Sequence, residues 1–113
     1  MRDDRERLLD IMEAIAKIEE RIPETREAFE RDELVQVWMA HYIQIIGEAA
    51  SQISDALMQR HPEIPWQSIV GMRNILVHAY FKVDFAEIWS VMEKDISPLR
   101  LQIQAILDAE KQS

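Results

Sequence analysis

The chain has 113 residues and a mass of 13.3 kDa, a length typical of one domain with a single hydrophobic core. Hydrophobic residues make up 48% of it and charged residues 30%, with only two glycines and four prolines. So few turn-forming residues favour long helices over a β-rich fold. The absence of cysteine excludes disulfides, thiolate metal sites and a cysteine nucleophile.

The net charge of −8 argues against non-specific binding to nucleic acids or anionic membranes, because phosphates repel an acidic surface. Any RNA would therefore have to meet a local patch of favourable charge. No apolar run approaches the roughly 18 residues that suggest a membrane span, and the N-terminal sequence lacks the pattern of a signal peptide. We expect a cytoplasmic protein without a membrane segment, folded as a single domain over residues 1–113.

Two N-terminal helices are predicted from the spacing of apolar residues. The first spans Asp4 to Arg21, where apolar residues recur at three- and four-residue steps, and Pro23 ends it. The second spans Asp32 to Arg60. Its apolar stripe consists of Leu34, Trp38, Tyr42, Ile45, Ala49, Ile53 and Leu57, with additional apolar residues beside it. So wide an apolar face exceeds what one neighbouring helix can cover, which predicts a homodimer.

Gly47 lies in the middle of the second helix, where glycine costs about 1 kcal/mol relative to alanine. A close helix crossing would explain it, and a merely tolerated glycine is the alternative. Three further helices are predicted, from Pro65 to Ala79, from Val83 to Asp95, and from Ser97-Pro98 to the end. The predicted fold class is therefore an all-α up-and-down bundle of four to five helices.

The most informative segment is residues 71–84, with the sequence GMRNILVHAYFKVD. Arg73 lies in charge-poor surroundings, where a guanidinium is costly unless it meets an anion such as phosphate. His78 follows five positions later and is suited to proton transfer near neutral pH. The two residues form a minimal set for RNA cleavage without metal, although they lie about 140° apart on an ideal helix. The alternative is a structural arginine paired with an acid or a carbonyl, and a core histidine.

Other kinds of chemistry have little support in the sequence. The three histidines, His41, His61 and His78, lack the i, i+4 spacing of a helical metal site, so no metal site is predicted. No glycine-rich phosphate loop is present, and no cofactor is predicted. We expect His61 to be exposed and Trp66 to anchor the core or an interface. His41 and Glu48 are interpreted as polar groups of the interface or core.

The residues from Arg73 to Tyr80 fit the pattern R-x4-H-x-Y, and several linked motifs accompany it. These are IIGEAA at 45–50, IPW at 64–66, GMRN at 71–74, YFKVD at 80–84, and Trp89. With these motifs the chain resembles, over nearly its whole length, the HepT-like proteins of the HEPN superfamily.

The resemblance implies a HEPN-like homodimer in which two copies of Arg73 and His78 form one composite cleft. It also implies a metal-independent endoribonuclease that is the toxin of a type VII HEPN/MNT toxin–antitoxin system. The antitoxin partner would be an MNT-type nucleotidyltransferase, which transfers AMP from ATP to Tyr80 and can form larger hetero-oligomers with the toxin. Asn74 would bind the RNA substrate or orient Arg73.

Two other functions stay open from the sequence. The chain could be a non-catalytic helical binding partner of a nucleotidyltransferase, which the acidic net charge fits slightly better than it fits an RNA-binding protein. It could also be a helical oligomerisation module in which Arg73 and His78 are structural.

Overall fold

The computed structural model describes residues 3–74 and 85–111, and all regular structure in these ranges is helical. The α-helices are α1 (Asp4–Glu19), α2 (Arg26–Glu30), α3 (Glu33–Ser51), α4 (Asp55–Arg60), α5 (Trp66–Gly71), α6 (Phe85–Ser90) and α7 (Ile96–Lys111). A π-helical turn, Val91–Asp95, joins α6 to α7 without a break. The all-α class is confirmed, but these ranges contain six continuous helical segments rather than four to five. None of the described helices is long and apolar enough to cross a membrane.

The single helix predicted over residues 32–60 is in fact two helices. Helix α3 ends at Ser51, and Ser54 begins α4 by accepting a hydrogen bond from the N–H of Leu57 at 3.2 Å. The carboxylate of Asp4 accepts hydrogen bonds from both the N–H and the hydroxyl of Ser54, at 2.9 and 2.6 Å. Ser54 therefore caps α4 and is itself held by Asp4. This cap interrupts a helix that apolar periodicity alone would predict to continue.

The two C-terminal helices predicted to be separate form one continuous run. Ser97-Pro98 was expected to cap a new helix, but the chain stays helical through it. In the π turn the N–H of Ile96 donates to the carbonyl of Val91, five residues earlier. A proline inside a regular helix lacks a donor and clashes with the carbonyl four residues before it. The wider π turn, which ends at Asp95 and includes the residue four positions before Pro98, accommodates this irregularity.

Helix α1 packs against both α3 and α7, and these three helices contribute most of the residues of the buried core. The predicted stripe of α1 is confirmed, since Leu8, Ile11, Ile15 and Ile18 are at most 1% exposed. The stripe predicted for α3 is wrong at its start, because Leu34 is 83% exposed. The fully buried face of α3 is instead formed by Met39, Ile43, Ile46 and Ala50.

Leu34 and Val37, which we call the α3 patch, are left on the surface of the monomer. Val37 is 62% exposed. Burying a large aliphatic side chain contributes about 1.5–3 kcal/mol, and the monomer lacks most of this contribution at both residues.

The end of α7 is tied to α4 and to the segment after it through Glu110. The carboxylate of Glu110 accepts hydrogen bonds from Arg60 Nη2 at 2.6 Å and Arg60 Nε at 3.3 Å. Nε2 of His61 lies 3.0 Å from the same carboxylate. The His61 side chain is only 14% exposed, so the prediction that it is exposed was wrong. The hydrogen bonds from Arg60 and then from His61 lower the pKa of Glu110.

The lowered pKa of Glu110 makes the stability of the fold depend on pH. Its pairing stabilises the folded chain above the pKa of an unfolded glutamate, about 4.3, and this contribution is lost as pH falls through the lower folded pKa. We expect Glu110→Gln to lower Tm at pH 7 and to change it much less at pH 3, measured by thermal unfolding. Glu13→Gln, at an exposed position of α1, is the matched control. An equal loss of Tm at both pH values would contradict this prediction.

Candidate functional site

Arg73 lies just beyond the end of α5 and passes directly over Gly47 of α3. A Cβ atom added to Gly47 would lie 2.9 Å from the Cβ of Arg73 and 3.0 Å from its Cα, and it would overlap the backbone nitrogen of Arg73. Only a residue without a Cβ atom allows so close an approach. Of the two alternatives for Gly47, the structure therefore has the close crossing, and the crossing partner is Arg73 itself.

The side chain of Arg73 extends from this fixed backbone toward solvent. It is 43% exposed, and its Nη1 lies 3.9 Å from Oε1 of Glu48, whose side chain is 56% exposed. Exposed ion pairs of this kind contribute only about 0–1 kcal/mol. Arg73 thus has an acidic partner, as a structural arginine would, but the pairing is weak enough for a phosphate to displace it.

The other predicted site residues are only partly described. Asn74, adjacent to Arg73, is exposed. His78 and Tyr80 lie outside the described residues, as does Lys82. The structure therefore brings Gly47, Glu48 and Arg73 together.

Sequence reasoning assigned Glu48 no role beside Arg73. The signal that could have found it is the position of Glu48 directly after Gly47, since a residue next to a close crossing must lie near the crossing chain. A second residue that sequence reasoning missed is Arg7, which lines a groove of about 370 Å³ together with Glu48.

The remaining aromatic and imidazole side chains have structural contacts. Trp66 is 8% exposed and its Nε1 donates to the carbonyl of His61 at 2.9 Å, which confirms it as a core anchor. His41 is exposed on α3, and its ring packs edge-on against Tyr42 at a centroid distance of 4.8 Å. In the part of the chain that the structure describes, no group of three or more histidine, aspartate or glutamate side chains is arranged to hold a metal ion.

The fold and the site define an all-helical domain with an exposed arginine at a close helix crossing, followed in sequence by His78 and Tyr80. A family model described as "HepT-like: Ribonuclease HepT-like" matches residues 11–106. The chain therefore belongs to the HepT-like ribonuclease family.

Individual relatives support this assignment. The chain is 40% identical over 100 residues to a Thermococcus cleftensis protein named "Probable ribonuclease HepT", an alignment that covers 88% of this chain and 91% of that one. A protein of Caldanaerobacter subterraneus that is named as a putative RNase is 35% identical over 85 residues, 75% of this chain and 76% of that one. No solved structure matches the chain significantly.

A similar segment also occurs within a longer protein. The chain is 34% identical over 99 residues to a Methanocaldococcus jannaschii protein named as a gamma-glutamylcyclotransferase and putative RNase. The alignment covers 87% of this chain but 45% of that protein.

Proposed function

We propose that the chain is a metal-independent endoribonuclease and the toxin of a type VII HEPN/MNT toxin–antitoxin system, acting in the cytoplasm. The observation that carries the proposal is the exposed guanidinium of Arg73, anchored by its backbone on Gly47 in a chain of the HepT-like family. A planar, permanently charged group on a rigid support is suited to bind the phosphate of the bond that is cleaved.

Cleavage without metal follows from the chemistry of RNA itself. The ribose 2′-oxygen attacks the adjacent phosphorus, the new P–O2′ bond forms, and the P–O5′ bond breaks to leave a 2′,3′-cyclic phosphate and a 5′-hydroxyl. A neutral His78 imidazole accepts the proton of the 2′-hydroxyl, and a protonated His78 of the second copy donates a proton to the leaving 5′-oxygen. Arg73 binds the non-bridging oxygens and offsets their growing negative charge.

The proposed mechanism uses the His78 of two copies and therefore requires a homodimer. The α3 patch supports such a homodimer. Leu34 and Val37 are highly exposed, and at helical spacing their face of α3 continues through His41 to Glu48, which lies beside Arg73. A second copy bound to this face about a two-fold axis that runs along α3 would cover the patch and bring its own Arg73 close to the first. Asn74, exposed next to Arg73, would then contact the substrate or orient the guanidinium.

The direct test is RNA cleavage by the purified chain in the presence of a metal chelator. We expect fragments with 5′-hydroxyl and 2′,3′-cyclic phosphate ends, together with growth inhibition when the chain is expressed alone. A chain that binds its nucleotidyltransferase, cleaves no RNA and inhibits no growth would instead be a non-catalytic binding partner. The net charge of −8 is the observation that favours this second function.

Neutralisation is proposed to occur at Tyr80 by an MNT-type nucleotidyltransferase. The phenolic oxygen attacks the α-phosphorus of ATP, an O–P bond forms, and pyrophosphate leaves. We expect incubation with the transferase and ATP to add one or more AMP units, detected by intact mass, and to stop RNA cleavage. The chain has two tyrosines, so Tyr42→Phe is the matched control and should be modified normally, whereas Tyr80→Phe should not. Modification of Tyr80→Phe to the wild-type extent would refute this assignment.

A further inference from the structure

A long groove runs along one face of α7. Its first part, about 690 Å³, lies between α5 and the run from α6 to α7, and its second part, about 450 Å³, lies between α7 and the connection before α5. The two parts meet at Gln102, which lines both. From α7 the groove is lined by Pro98, Gln102, Ala105 and Ala109, the spacing of a single helix face. This stretch is about 16 Å long, the length of three helical turns.

We propose that this surface, the α7 groove, is where the nucleotidyltransferase docks on the chain, through a basic amphipathic helix. The inference rests on the proposed neutralisation at Tyr80 and adds the surface and the kind of partner segment that neutralisation would use. Recognition of an amphipathic helix by an apolar groove is a common mode of protein–protein binding.

The α7 groove offers an apolar anchor to such a helix. Leu101 at its edge is 64% exposed, and the buried side chains of Ile64 and Ile69 form part of its floor. The alanines that α7 contributes are small, so a second helix can approach α7 closely. A partner helix that covers Leu101 would remove a large apolar side chain from water.

The charged side chains at the rim of the α7 groove determine which partner it fits. The described lining residues include three acids, Glu63, Glu87 and Asp95, and one lysine, Lys94, and all four are exposed. An acidic rim around an apolar floor favours a helix that carries lysine or arginine beside its apolar face. The same rim disfavours RNA, and a net charge of −8 also disfavours a second copy of this chain.

The α7 groove stays accessible when two copies meet through α3. No described residue of α3 lines the groove, and α7 packs mainly on α1. A homodimer formed at the α3 patch therefore leaves one apolar groove on each copy, available to a second protein.

One end of the α7 groove is close in sequence to the proposed modification site. Gly71 and Met72 line this end from α5, and Glu87 lines it from α6. Tyr80 is seven residues before Glu87, so the length of the chain alone keeps it within about 25 Å of that residue. A transferase held in the groove is thereby kept near the hydroxyl that it modifies, because anchoring raises its effective concentration there.

The first test compares two exposed leucines. Transferase binding is measured by isothermal titration calorimetry without ATP, so that no AMP is transferred. We expect Leu101→Asp to weaken binding at least tenfold, the loss typical of an interface anchor. Its helical circular dichroism, its oligomeric mass and its RNA cleavage in the absence of the transferase should match those of the parent. Leu9→Asp is the matched control, since Leu9 is 44% exposed on α1 and lines neither part of the groove, and it should bind within about twofold of the parent.

The second test concerns the charge of the partner helix. Glu63 is 65% exposed at the rim, and Glu63→Lys places a positive charge where a basic helix would bind. We expect this variant to bind the transferase about three- to tenfold more weakly at low salt, with a smaller difference at high salt. Glu13→Lys makes the same change of charge at an exposed position of α1, and it should bind within about twofold of the parent.

The outcomes separate this inference from the proposed function. Equal affinities for Leu101→Asp and Leu9→Asp, or binding by Glu63→Lys as tight as that of Glu13→Lys, would overturn the docking surface while leaving neutralisation intact. If Leu101→Asp, combined with His78→Ala to prevent cleavage, weakened the binding of a short single-stranded RNA instead, the groove would belong to RNA and the inference would be wrong. A transferase that does not bind the unmodified parent chain would overturn both the docking surface and the proposed neutralisation.

Discussion

Replacing Arg73 by alanine is expected to lower the rate of RNA cleavage about a hundred- to a thousandfold, the cost of removing one group that stabilises a developing oxyanion. His78→Ala should cost about 10²- to 10⁴-fold, because the proton transfers lose their catalyst. Arg73→Lys should recover only part of the rate, since an ammonium keeps the charge but loses the two parallel hydrogen bonds of a guanidinium. Initial rates on a fluorescently labelled RNA measure these effects.

The same variants test whether two copies share one cleft. Arg73 is 43% exposed, so its removal should leave Tm and oligomeric mass close to those of the parent chain. When wild-type and His78→Ala chains are co-expressed, a mixed dimer has one intact histidine where the proposed mechanism uses two. We expect the purified mixed dimer to cleave RNA far more slowly than half the wild-type rate, because its one shared cleft lacks a proton donor or acceptor. A mixed dimer that keeps half the wild-type rate would argue against a shared cleft, and full cleavage by Arg73→Ala or His78→Ala would refute the catalytic assignment.

The second large effect is expected at Gly47. Gly47→Ala places a methyl group against the backbone of Arg73, which cannot rotate away as a side chain could, so the segment that carries Arg73 must move off α3. We expect a loss of about 1–3 kcal/mol in the free energy of unfolding, the usual cost of overpacking, measured by urea denaturation. Cleavage should fall as well, by about 100-fold for a displacement near 1 Å, because Arg73 moves with its backbone.

The chain contains its own control for this experiment. Gly71, the last residue of α5, has nothing within 4 Å of a Cβ added to it. Gly71→Ala should therefore be neutral or stabilising by up to about 1 kcal/mol, because alanine restricts the unfolded chain without a clash. If Gly47→Ala were as stable and as active as Gly71→Ala, the crossing would not hold Arg73 in position.

Much of the helical architecture could be predicted because it depends on local periodicity. The α1 stripe from Leu8 to Ile18 follows the helical repeat, and those residues are buried as expected. Prediction failed where local signals competed. The Ser54 cap ended a helix that apolar spacing was expected to continue, and the π turn at 91–95 joined two helices that a Ser97-Pro98 cap was expected to separate.

The sequence by itself determined the all-α class and the family motifs around Arg73, and it raised a close crossing at Gly47 as one of two alternatives. These features depend on composition, spacing and the identity of single residues. Only the tertiary structure decided that the chain crossing Gly47 is Arg73, that Glu48 is its partner, and that Arg7 of α1 faces the same groove as Glu48. Such contacts join residues far apart in the chain, and they form only when packing of the core sets which helix faces meet.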